Sequence, residues 1–242
     1  MGNQKVALVT GGLMGIGLAI GRCLKLCGYR VVANYAPFME VDPVKVKNDE
    51  GFDVVCFDVR DYDKVLESIS NLKDRVGVID ILINNAGIIR DCFLHKMDVQ
   101  QWYDVINTNL NGVYHCTSAV IGDMRAQKFG RIINLTSVNA VKGQAGQTNY
   151  CAAKAGLIGF TKALAQESAR CNITVNCIAP GYTDTSILQS IDQKIMDDYI
   201  LPSIPMKRLA KVDEIAEMAL FLIDKADYIT GQVMHVNGGL YM

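Results

Sequence analysis

The chain has 242 residues, half of them hydrophobic, so it can bury a core of ordinary size, and we expect one domain over residues 1–242. Its 24 Lys and Arg residues almost balance its 25 Asp and Glu residues, which leaves no basic excess for nucleic acid or an anionic membrane surface. No leader precedes the first apolar run, and no stretch reaches the roughly 18 to 20 apolar residues of a membrane span. We therefore expect a cytoplasmic protein that binds neither nucleic acid nor membrane.

Seven short runs rich in β-branched residues alternate with segments of helical length, except that we expect a short irregular stretch after the second run. In chain order, the runs are KVALVT, RVVANY, DVVCFDV, DILINNAG, GRIINLTS, ITVNCIAP and QVMHVNGG. Strands separated by helices run parallel, and the helices then cover both faces of the sheet. The pattern predicts an α/β fold, a single-domain doubly wound parallel sheet of the Rossmann-like kind.

A long segment interrupts this alternation between the sixth and seventh runs. From Thr183 to about Lys211 it carries apolar residues at helical spacing and two prolines, Pro202 and Pro205. Long excursions in compact domains are usually functional, so we expect a pair of short helices that form a substrate flap at about 183–211. The alternative is a surface excursion that serves packing alone.

The eight cysteines and three histidines give no sign of a metal site. The cysteines lack the C-x-x-C spacing of zinc or dithiol chemistry, and the histidines are far apart in the sequence. We expect reduced thiols and no bound metal.

A glycine-rich turn, T-G-G-L-M-G-I-G, follows the first strand and opens the first helix. Glycines let the backbone approach a pyrophosphate, whose charge meets the positive end of the helix. The strand–turn–helix setting favours this interpretation over a simple tight turn. The spacing resembles that of the short-chain dehydrogenase/reductase superfamily. That resemblance implies a dinucleotide bound by Thr10, Gly11, Leu13, Met14, Gly15, Ile16 and Gly17.

Further candidate cofactor positions fall at the carboxyl ends of later strands, where open parallel sheets bind ligands. Asp58 can accept the adenine amino group, although it could instead cap the next helix. The NNAG turn after the fourth strand lets the backbone pass close to the ribose. The additional predicted positions are Asn34, Tyr35, Asp58, Val59, Asn84, Ala86, Gly87, Tyr150, Lys154, Pro180, Gly181 and Thr183.

The end of the second strand bears on the choice between NAD(H) and NADP(H). NAD enzymes usually place Asp or Glu there, whereas this chain reads Asn34-Tyr35-Ala36. No carboxylate repels a 2′-phosphate, so NADP(H) is favoured over NAD(H). The sequence assigns no arginine to the phosphate, and Lys45 and Lys47 are better explained as solvated surface charges.

Tyr150 and Lys154 are four residues apart in a segment of strong helix formers, which puts both side chains on one face. A neighbouring ammonium and a positively charged nicotinamide should lower the pKa of the Tyr150 phenol from its usual value of about 10. Ser137 ends the fifth strand, where its hydroxyl can hydrogen-bond a carbonyl oxygen as charge develops. Asn109 is either a satisfied core amide or, as in the family, the holder of a water that relays protons to the lysine.

The chain resembles 3-oxoacyl-thioester reductases within that superfamily. TSVNAVKGQAGQTNY and KAGLIGFTKALAQE are similar to acetoacetyl-CoA reductases, and YITGQVMHVNGGLYM is equally similar to 3-oxoacyl-[acyl-carrier-protein] reductases. The resemblance implies four catalytic residues, Asn109, Ser137, Tyr150 and Lys154. It also implies that a 3-oxoacyl thioester is reduced to the (3R)-3-hydroxyacyl thioester. By the same resemblance, we expect a homotetramer. A dinucleotide sensor without turnover is the remote alternative.

The acyl group is carried either by CoA or by an acyl carrier protein. Positions that match the substrate-binding ones of acetoacetyl-CoA reductases are Asp91, Lys96, Gln144, Gln147, Thr148 and Tyr182. An acidic carrier protein needs a basic patch beside the cleft, to which Lys128, Arg131 and Arg170 could contribute. Cys171 stands where carrier-protein reductases resemble one another in having Arg, so acetoacetyl-CoA is favoured.

Overall fold

The structure, a computed structural model, describes residues 4–189 and 192–242. Its strands are β1 (Val6–Val9), β2 (Arg30–Tyr35), β3 (Asp53–Cys56), β4 (Ile79–Asn84), β5 (Gly130–Leu135), β6 (Ile173–Pro180) and β7 (Val233–Val236). They form one parallel sheet in the order β3-β2-β1-β4-β5-β6-β7. The predicted α/β fold is confirmed.

Helices surround this sheet. They are α1 (Gly15–Leu26), α2 (Pro43–Glu50), α3 (Tyr62–Val76), α4 (Val99–Ile106), α5 (Gly112–Gln127), α6 (Asn139–Lys142), α7 (Thr148–Ser168), α8 (Ser186–Gln189), α9 (Gln193–Ile195), α10 (Leu201–Ser203) and α11 (Val212–Asp224). Short 3₁₀ turns lie at Leu94–Lys96 and Ala169–Cys171, and π turns at Asn107–Asn111 and Met196–Ile200.

The stretch after β2 differs from the sequence prediction, which was an irregular connection. It forms α2 because Pro43 starts the helix and the side chain of Asp42 accepts hydrogen bonds from the backbone N–H groups of Val44 and Lys45. Gly51 then ends the helix in the left-handed conformation.

The core has two apolar layers, one on each face of the sheet. Successive residues of β1 alternate between them, with Ala7 and Val9 in the layer of α1 and α11, and Val6 and Leu8 in the layer of α3 and α5. Helix α3 faces its layer with one stripe of apolar residues at three- and four-residue spacing, formed by Val65, Ile69, Leu72 and Val76. The sheet is therefore covered on both sides.

The carboxyl ends of the strands carry the predicted site. Because all the strands are parallel, the segments that follow β1, β4, β5 and β6 leave the sheet at the same edge. The chain also reverses its direction of winding between β1 and β4, which lie side by side although β2 and β3 separate them in sequence. A crevice for a ligand forms at such a reversal in doubly wound sheets.

The predicted flap begins and ends at one narrow neck. Thr183 pairs with Ala210, and two backbone hydrogen bonds of 2.9 Å flank this pair. The excursion contains the short helices α8, α9 and α10 and a π turn, where a pair of short helices was predicted, and the part of the prediction on 190–191 lies outside the described residues. Met196 and Ile200 of the π turn and Ile204, which follows α10, form a separate buried cluster. A role over the substrate stays a prediction.

Within residues 4–189 and 192–242, no helix is long and apolar enough to cross a membrane. The same residues contain no group of three or more His, Cys, Asp or Glu side chains that could hold a metal ion. All eight cysteines are free thiols, and Cys116 and Cys177 are buried.

Candidate active site

The turn between β1 and α1 combines glycine-dependent backbone with an open helix end. Gly11 and Gly15 have φ angles of +61° and +51°. A Cβ on Gly17 would lie 2.4 Å from the carbonyl oxygen of Gly11, so no side chain fits there. Helix α1 has no side-chain cap at Met14 and no acidic residue in its first turn. Its free N–H groups and positive dipole end therefore fit the pyrophosphate of a dinucleotide.

The hydroxyl of Thr10 joins this turn to the turn after β4. Thr10 Oγ1 donates to the carbonyl of Ile83 over 3.2 Å and accepts from the backbone N–H groups of Asn85 and Ala86, each over 3.0 Å. The amide of Asn85 donates in return to the carbonyls of Thr10 and Gly11. The two loops that would contact a dinucleotide are thus fixed to each other by the chain itself.

Two asparagines among the predicted cofactor positions have side chains that point inward. Asn84 is buried, and its Nδ2 donates to Asn134 over 2.8 Å. Asn34 is also buried, its Nδ2 donates to the carbonyl of Phe57 over 3.0 Å, and its own carbonyl accepts from the N–H of Gly12. Both residues support the turns around the cleft through their amide nitrogens, whereas Oδ1 of Asn84 is buried without a hydrogen-bond partner among the described residues.

The structure forms an ion pair at Asp58 that the sequence did not reveal. Asp58 does not cap α3, because Asp61 does so. The Asp58 carboxylate instead binds Arg60, with 2.6 Å from Nη2 and 2.9 Å from Nε to Oδ2. Burial acts to raise the pKa of Asp58, but the hydrogen bonds from Arg60 outweigh it and lower the pKa. The guanidinium also lies over the exposed ring of Phe38, 5.2 Å from its centroid.

The remaining predicted cofactor positions lie at the same edge of the sheet. Leu13 and Val59 are buried, Ile16 and Tyr35 are half-buried, and Met14 is exposed. After β6, a Cβ on Gly181 would lie 2.8 Å from Cα of Asn237, so position 181 accommodates only glycine. The hydroxyl of Thr183 donates to the Gly181 carbonyl, and the carbonyl of Pro180 accepts from the N–H of Val138.

Strand β5 and helix α7 bring the predicted catalytic side chains together. Lys154 is buried, its Nζ donates to the carbonyl of Leu135 over 2.7 Å, and it lies 5.7 Å from the centre of the Tyr150 ring. The hydroxyl of Thr136 donates to the Lys154 carbonyl over 2.7 Å, which fastens α7 to the end of β5. The side chain of Ser137 hydrogen-bonds with Tyr150. The four-residue spacing therefore places both side chains as predicted.

Burial shifts the pKa values of the tyrosine and the lysine in opposite directions. Burial raises the pKa of Tyr150 to about 12, with a smaller opposing effect from the Ser137 hydrogen bond and smaller increases from Cys151 and Asp91. Burial lowers the pKa of Lys154 to about 8. Without a nicotinamide, burial raises the Tyr150 pKa where the sequence predicted a lowering, and the effect of a positively charged nicotinamide stays a prediction.

Asn109 is fully buried in the π turn between α4 and α5. Its Oδ1 accepts from the N–H of Ile88 over 2.8 Å, and its Nδ2 donates to the Ile88 carbonyl over 2.9 Å. A Cβ on Gly87 would lie 3.1 Å from this Oδ1 and 3.5 Å from Nζ of Lys154, so both groups border one small space. Asn109 is thus a satisfied amide beside Lys154, and its part in a proton relay stays a prediction.

Four of the predicted substrate residues lie around the start of α7. Nε2 of Gln147 donates to Oδ2 of Asp91 over 2.8 Å. Gln144 is exposed three residues earlier in the same loop, and Thr148 is the first residue of the helix. These side chains adjoin the end of β5 and therefore the catalytic group.

The other two predicted substrate residues lie on separate segments. Tyr182 follows β6 and lines a cavity of about 480 Å³ between the flap and the C-terminal residues, where burial raises its pKa. Lys96 is exposed at the 3₁₀ turn that precedes α4. The structure alone does not bring these two into contact with the catalytic side chains.

The three basic residues considered for a carrier-protein patch are not beside the cleft. Arg131 is buried near the start of β5 and pairs with Asp227 over 2.6 Å. Lys128 caps the end of α5 just before β5, and Arg170 lies just before β6. All three are at the amino ends of strands, whereas the site is at the carboxyl ends. The prediction that they could flank the cleft of their own chain is wrong for this reason.

Comparison with known proteins agrees with this geometry. A family model described as "Enoyl-(Acyl carrier protein) reductase" matches residues 11–241, from the glycine turn almost to the C-terminus. The chain belongs to the short-chain dehydrogenase/reductase family.

Individual relatives cover nearly the whole chain. Acetoacetyl-CoA reductase of Shinella zoogloeoides is 48% identical over 98% of this chain and 99% of its own length. Acetoacetyl-CoA reductase of Acinetobacter sp. (strain RA3849) is 45% identical over the full length of both chains. The 3-oxoacyl-[acyl-carrier-protein] reductase FabG of Staphylococcus epidermidis is 44% identical over 99% of this chain and 100% of its own length.

The substitution Lys154→Met should stabilise the fold at neutral pH. The pKa of Lys154 is lowered from 10.5 to about 8, so holding the charge costs the folded state about 3 kcal/mol below pH 8. The variant avoids this cost but loses the hydrogen bond to Leu135, which removes about 2 kcal/mol of the gain in stability. Between pH 8 and 10.5 the unfolded wild-type chain binds more protons than the folded one, so wild-type stability rises and the advantage shrinks.

Urea unfolding of both proteins at pH 7 and pH 10 measures this effect. We expect the variant to be about 1 kcal/mol more stable at pH 7 and to lose that advantage at pH 10. If the variant were less stable than the wild type at pH 7 and recovered at pH 10, the stability difference would have the opposite sign. That result would contradict the burial argument.

Proposed function

We propose that the protein is an NADPH-dependent reductase that converts a 3-oxoacyl thioester to the (3R)-3-hydroxyacyl thioester, with acetoacetyl-CoA as the favoured substrate. One observation carries this proposal. Ser137, Tyr150 and the buried Lys154 lie at the carboxyl ends of the strands, where the open, glycine-lined start of α1 also lies. The relatives named acetoacetyl-CoA reductase, 45% and 48% identical over nearly all of the chain, support it.

A bound nicotinamide dinucleotide supplies the hydride that reaches the 3-oxo carbon. Ser137 orients the carbonyl oxygen by a hydrogen bond, and Tyr150 gives that oxygen its proton. The raised pKa of Tyr150, about 12, keeps the phenol protonated until the oxygen becomes basic. Lys154, with a pKa of about 8, returns a proton to Tyr150, and a water held at Asn109 replaces it.

The substitution Tyr150→Phe tests the general-acid assignment. It removes the proton donor and keeps the ring, so we expect kcat to fall at least about 100-fold while the dissociation constant for the cofactor changes little. Loss of NADPH absorbance with acetoacetyl-CoA measures the first quantity, and fluorescence titration measures the second. Retention of more than about a hundredth of the wild-type kcat would contradict the assignment.

The corner between the ends of β2 and β3 supports NADP(H) over NAD(H). The end of β2 offers no carboxylate at Tyr35 or Ala36 that would repel a 2′-phosphate. Arg60 is fixed there by Asp58 and by stacking on Phe38, and its Nη1 stays outside the Asp58 pair, 3.8 Å from the carboxylate of Asp104. We assign the 2′-phosphate to this guanidinium.

The substitution Arg60→Ala should weaken NADP⁺ binding and leave NAD⁺ binding almost unchanged. A charge-assisted contact contributes about 1.5 to 3 kcal/mol, so we expect the dissociation constant for NADP⁺ to rise at least about tenfold. Calorimetric titration with each dinucleotide measures both constants. Lys45→Ala, an exposed charge on α2, is the matched control and should change neither. Equal weakening of both dinucleotides by Arg60→Ala would contradict the assignment.

For the acyl carrier, the structure supports CoA because the basic residues considered for a carrier protein lie at the amino ends of the strands, opposite the site. Gln144 is exposed in the polar loop that precedes α7, and its amide group suits a pantetheine arm. The second candidate function is reduction of a 3-oxoacyl group on acyl carrier protein. The FabG relative, 44% identical over the full chain, favours it.

Measurement of kcat/KM for acetoacetyl-CoA and acetoacetyl-carrier protein at two ionic strengths separates these candidates. We expect a higher value for acetoacetyl-CoA, with a weak dependence on salt. A carrier-protein advantage of about tenfold or more that collapses at high salt would reveal electrostatic docking and overturn the preference for CoA.

We also propose that the protein is a cytoplasmic homotetramer. The eight free thiols fit a reducing compartment. On α5, Val113 and Met124 pack in the core of the chain, whereas Tyr114 is 53% exposed and stacks on Tyr62. Light scattering at micromolar concentration should give four times the chain mass of 26.5 kDa, and a monomeric mass would contradict this proposal.

A further inference from the structure

A continuous line of hydrogen bonds runs from an exposed carboxylate to the catalytic serine. Oδ2 of Asp91 accepts from Nε2 of Gln147 over 2.8 Å, and Oε1 of Gln147 accepts from Nδ2 of Asn139 over 2.9 Å. The backbone N–H of Asn139 then donates to Oγ of Ser137 over 3.1 Å. Three residues, Asp91, Gln147 and Asn139, are thus connected to Ser137, the group that would orient the substrate carbonyl.

The Asp91 carboxylate determines which atom donates and which accepts in the two side-chain hydrogen bonds of this line. An ionised carboxylate accepts hydrogen bonds and cannot donate, so the amide nitrogen of Gln147 must face Asp91. The Gln147 oxygen then faces Asn139, so the Asn139 side chain must donate from its Nδ2. The Asn139 oxygen is buried without a hydrogen-bond partner among the described residues. Neither amide can rotate by half a turn without placing two acceptors or two donors against each other.

This line fixes the turn that follows Ser137. Asn139 is the first residue of the short helix α6, so Gln147 holds the start of that helix through the Asn139 side chain. The N–H of Asn139 occupies one lone pair of Ser137 Oγ. The Ser137 hydroxyl hydrogen is then free to point toward Tyr150 or a substrate oxygen, which is the direction that carbonyl orientation requires.

We propose that Asp91 and Gln147 are positioning residues that act on the reaction through Asn139 and the Ser137 hydroxyl. The proposal rests on the proposed function, in which Ser137 orients the 3-oxo group. Gln147 is only 8% exposed and both ends of its amide are engaged, so a substrate contact by Gln147 would break this line. Asp91 is exposed, which makes its removal mild for the fold.

A double-mutant cycle between Asp91→Ala and Ser137→Ala tests the proposal. The substrate is ethyl acetoacetate, a 3-oxo ester without CoA or carrier protein. In the wild-type background we expect Asp91→Ala to lower kcat about tenfold with little change in KM, because misplaced groups cost catalysis in the transition state. In the Ser137→Ala background the same change should cost less than about twofold. A tenfold loss in both backgrounds, or a rise in KM alone, would overturn the proposal.

The conservative variant separates the hydrogen bond from the charge. Asp91→Asn keeps an acceptor for Gln147, so we expect kcat within about threefold of the wild type, and a loss as large as that of Asp91→Ala would show that charge matters instead. Asp63→Ala removes an exposed carboxylate at the start of α3 and serves as the matched control, with kcat unchanged.

Hydrogen exchange gives a reading that does not depend on turnover. We expect Asp91→Ala to speed amide exchange in the turn from Ser137 to Lys142 by about tenfold, and Asp63→Ala to leave it unchanged. If the wild type reduced ethyl acetoacetate but not acetoacetyl-CoA, the proposed substrate would fail and the cycle would still decide the present proposal. If it reduced neither, the proposed function would fail, and unchanged exchange in Asp91→Ala would independently refute the link to Ser137.

Discussion

The burial of Lys154 is the constraint on which the site depends. A buried ammonium is costly unless it is hydrogen-bonded, and Nζ of Lys154 meets this requirement at the carbonyl of Leu135. Together with the hydroxyl of Thr136 on the Lys154 carbonyl, this bond fixes α7 against the end of β5. Tyr150, one turn earlier on α7, is thereby placed beside Ser137. The geometry of the proposed catalytic group follows from where one cation is buried.

The proposed cofactor half of the cleft meets the proposed catalytic half at Gly87. The Thr10 hydroxyl ties the glycine turn to the segment that contains Gly87, and the missing side chain there leaves a space bordered by Asn109 and Lys154. Burial raises the pKa of the half-buried Tyr150 to about 12 and lowers that of the buried Lys154 to about 8. The site therefore pairs a phenol that keeps its proton with an ammonium that can give one up near pH 8.

Local patterns explain why much of this was predictable. Alternating β-branched runs and helical segments determine a parallel sheet, the glycine turn follows a strand, and the four-residue spacing of Tyr150 and Lys154 places them on one helical face. The errors concern neighbours that only the fold creates. Arg60 meets Phe38 from another segment, and Arg131 lies at the far end of its strand. The direction of the Tyr150 pKa shift also depends on burial, which sequence spacing does not report.

The titration of Tyr150 tests the account most directly. Its ¹³Cζ resonance in tyrosine-labelled protein can be assigned by its loss in Tyr150→Phe. We predict no titration of Tyr150 up to about pH 10 in the protein alone, because burial raises its pKa to about 12. Binding of NADP⁺ should bring the midpoint below about 10, since the positive nicotinamide ring favours the phenolate. A midpoint below 10 in the protein alone, or a resonance that NADP⁺ leaves unmoved, would contradict it.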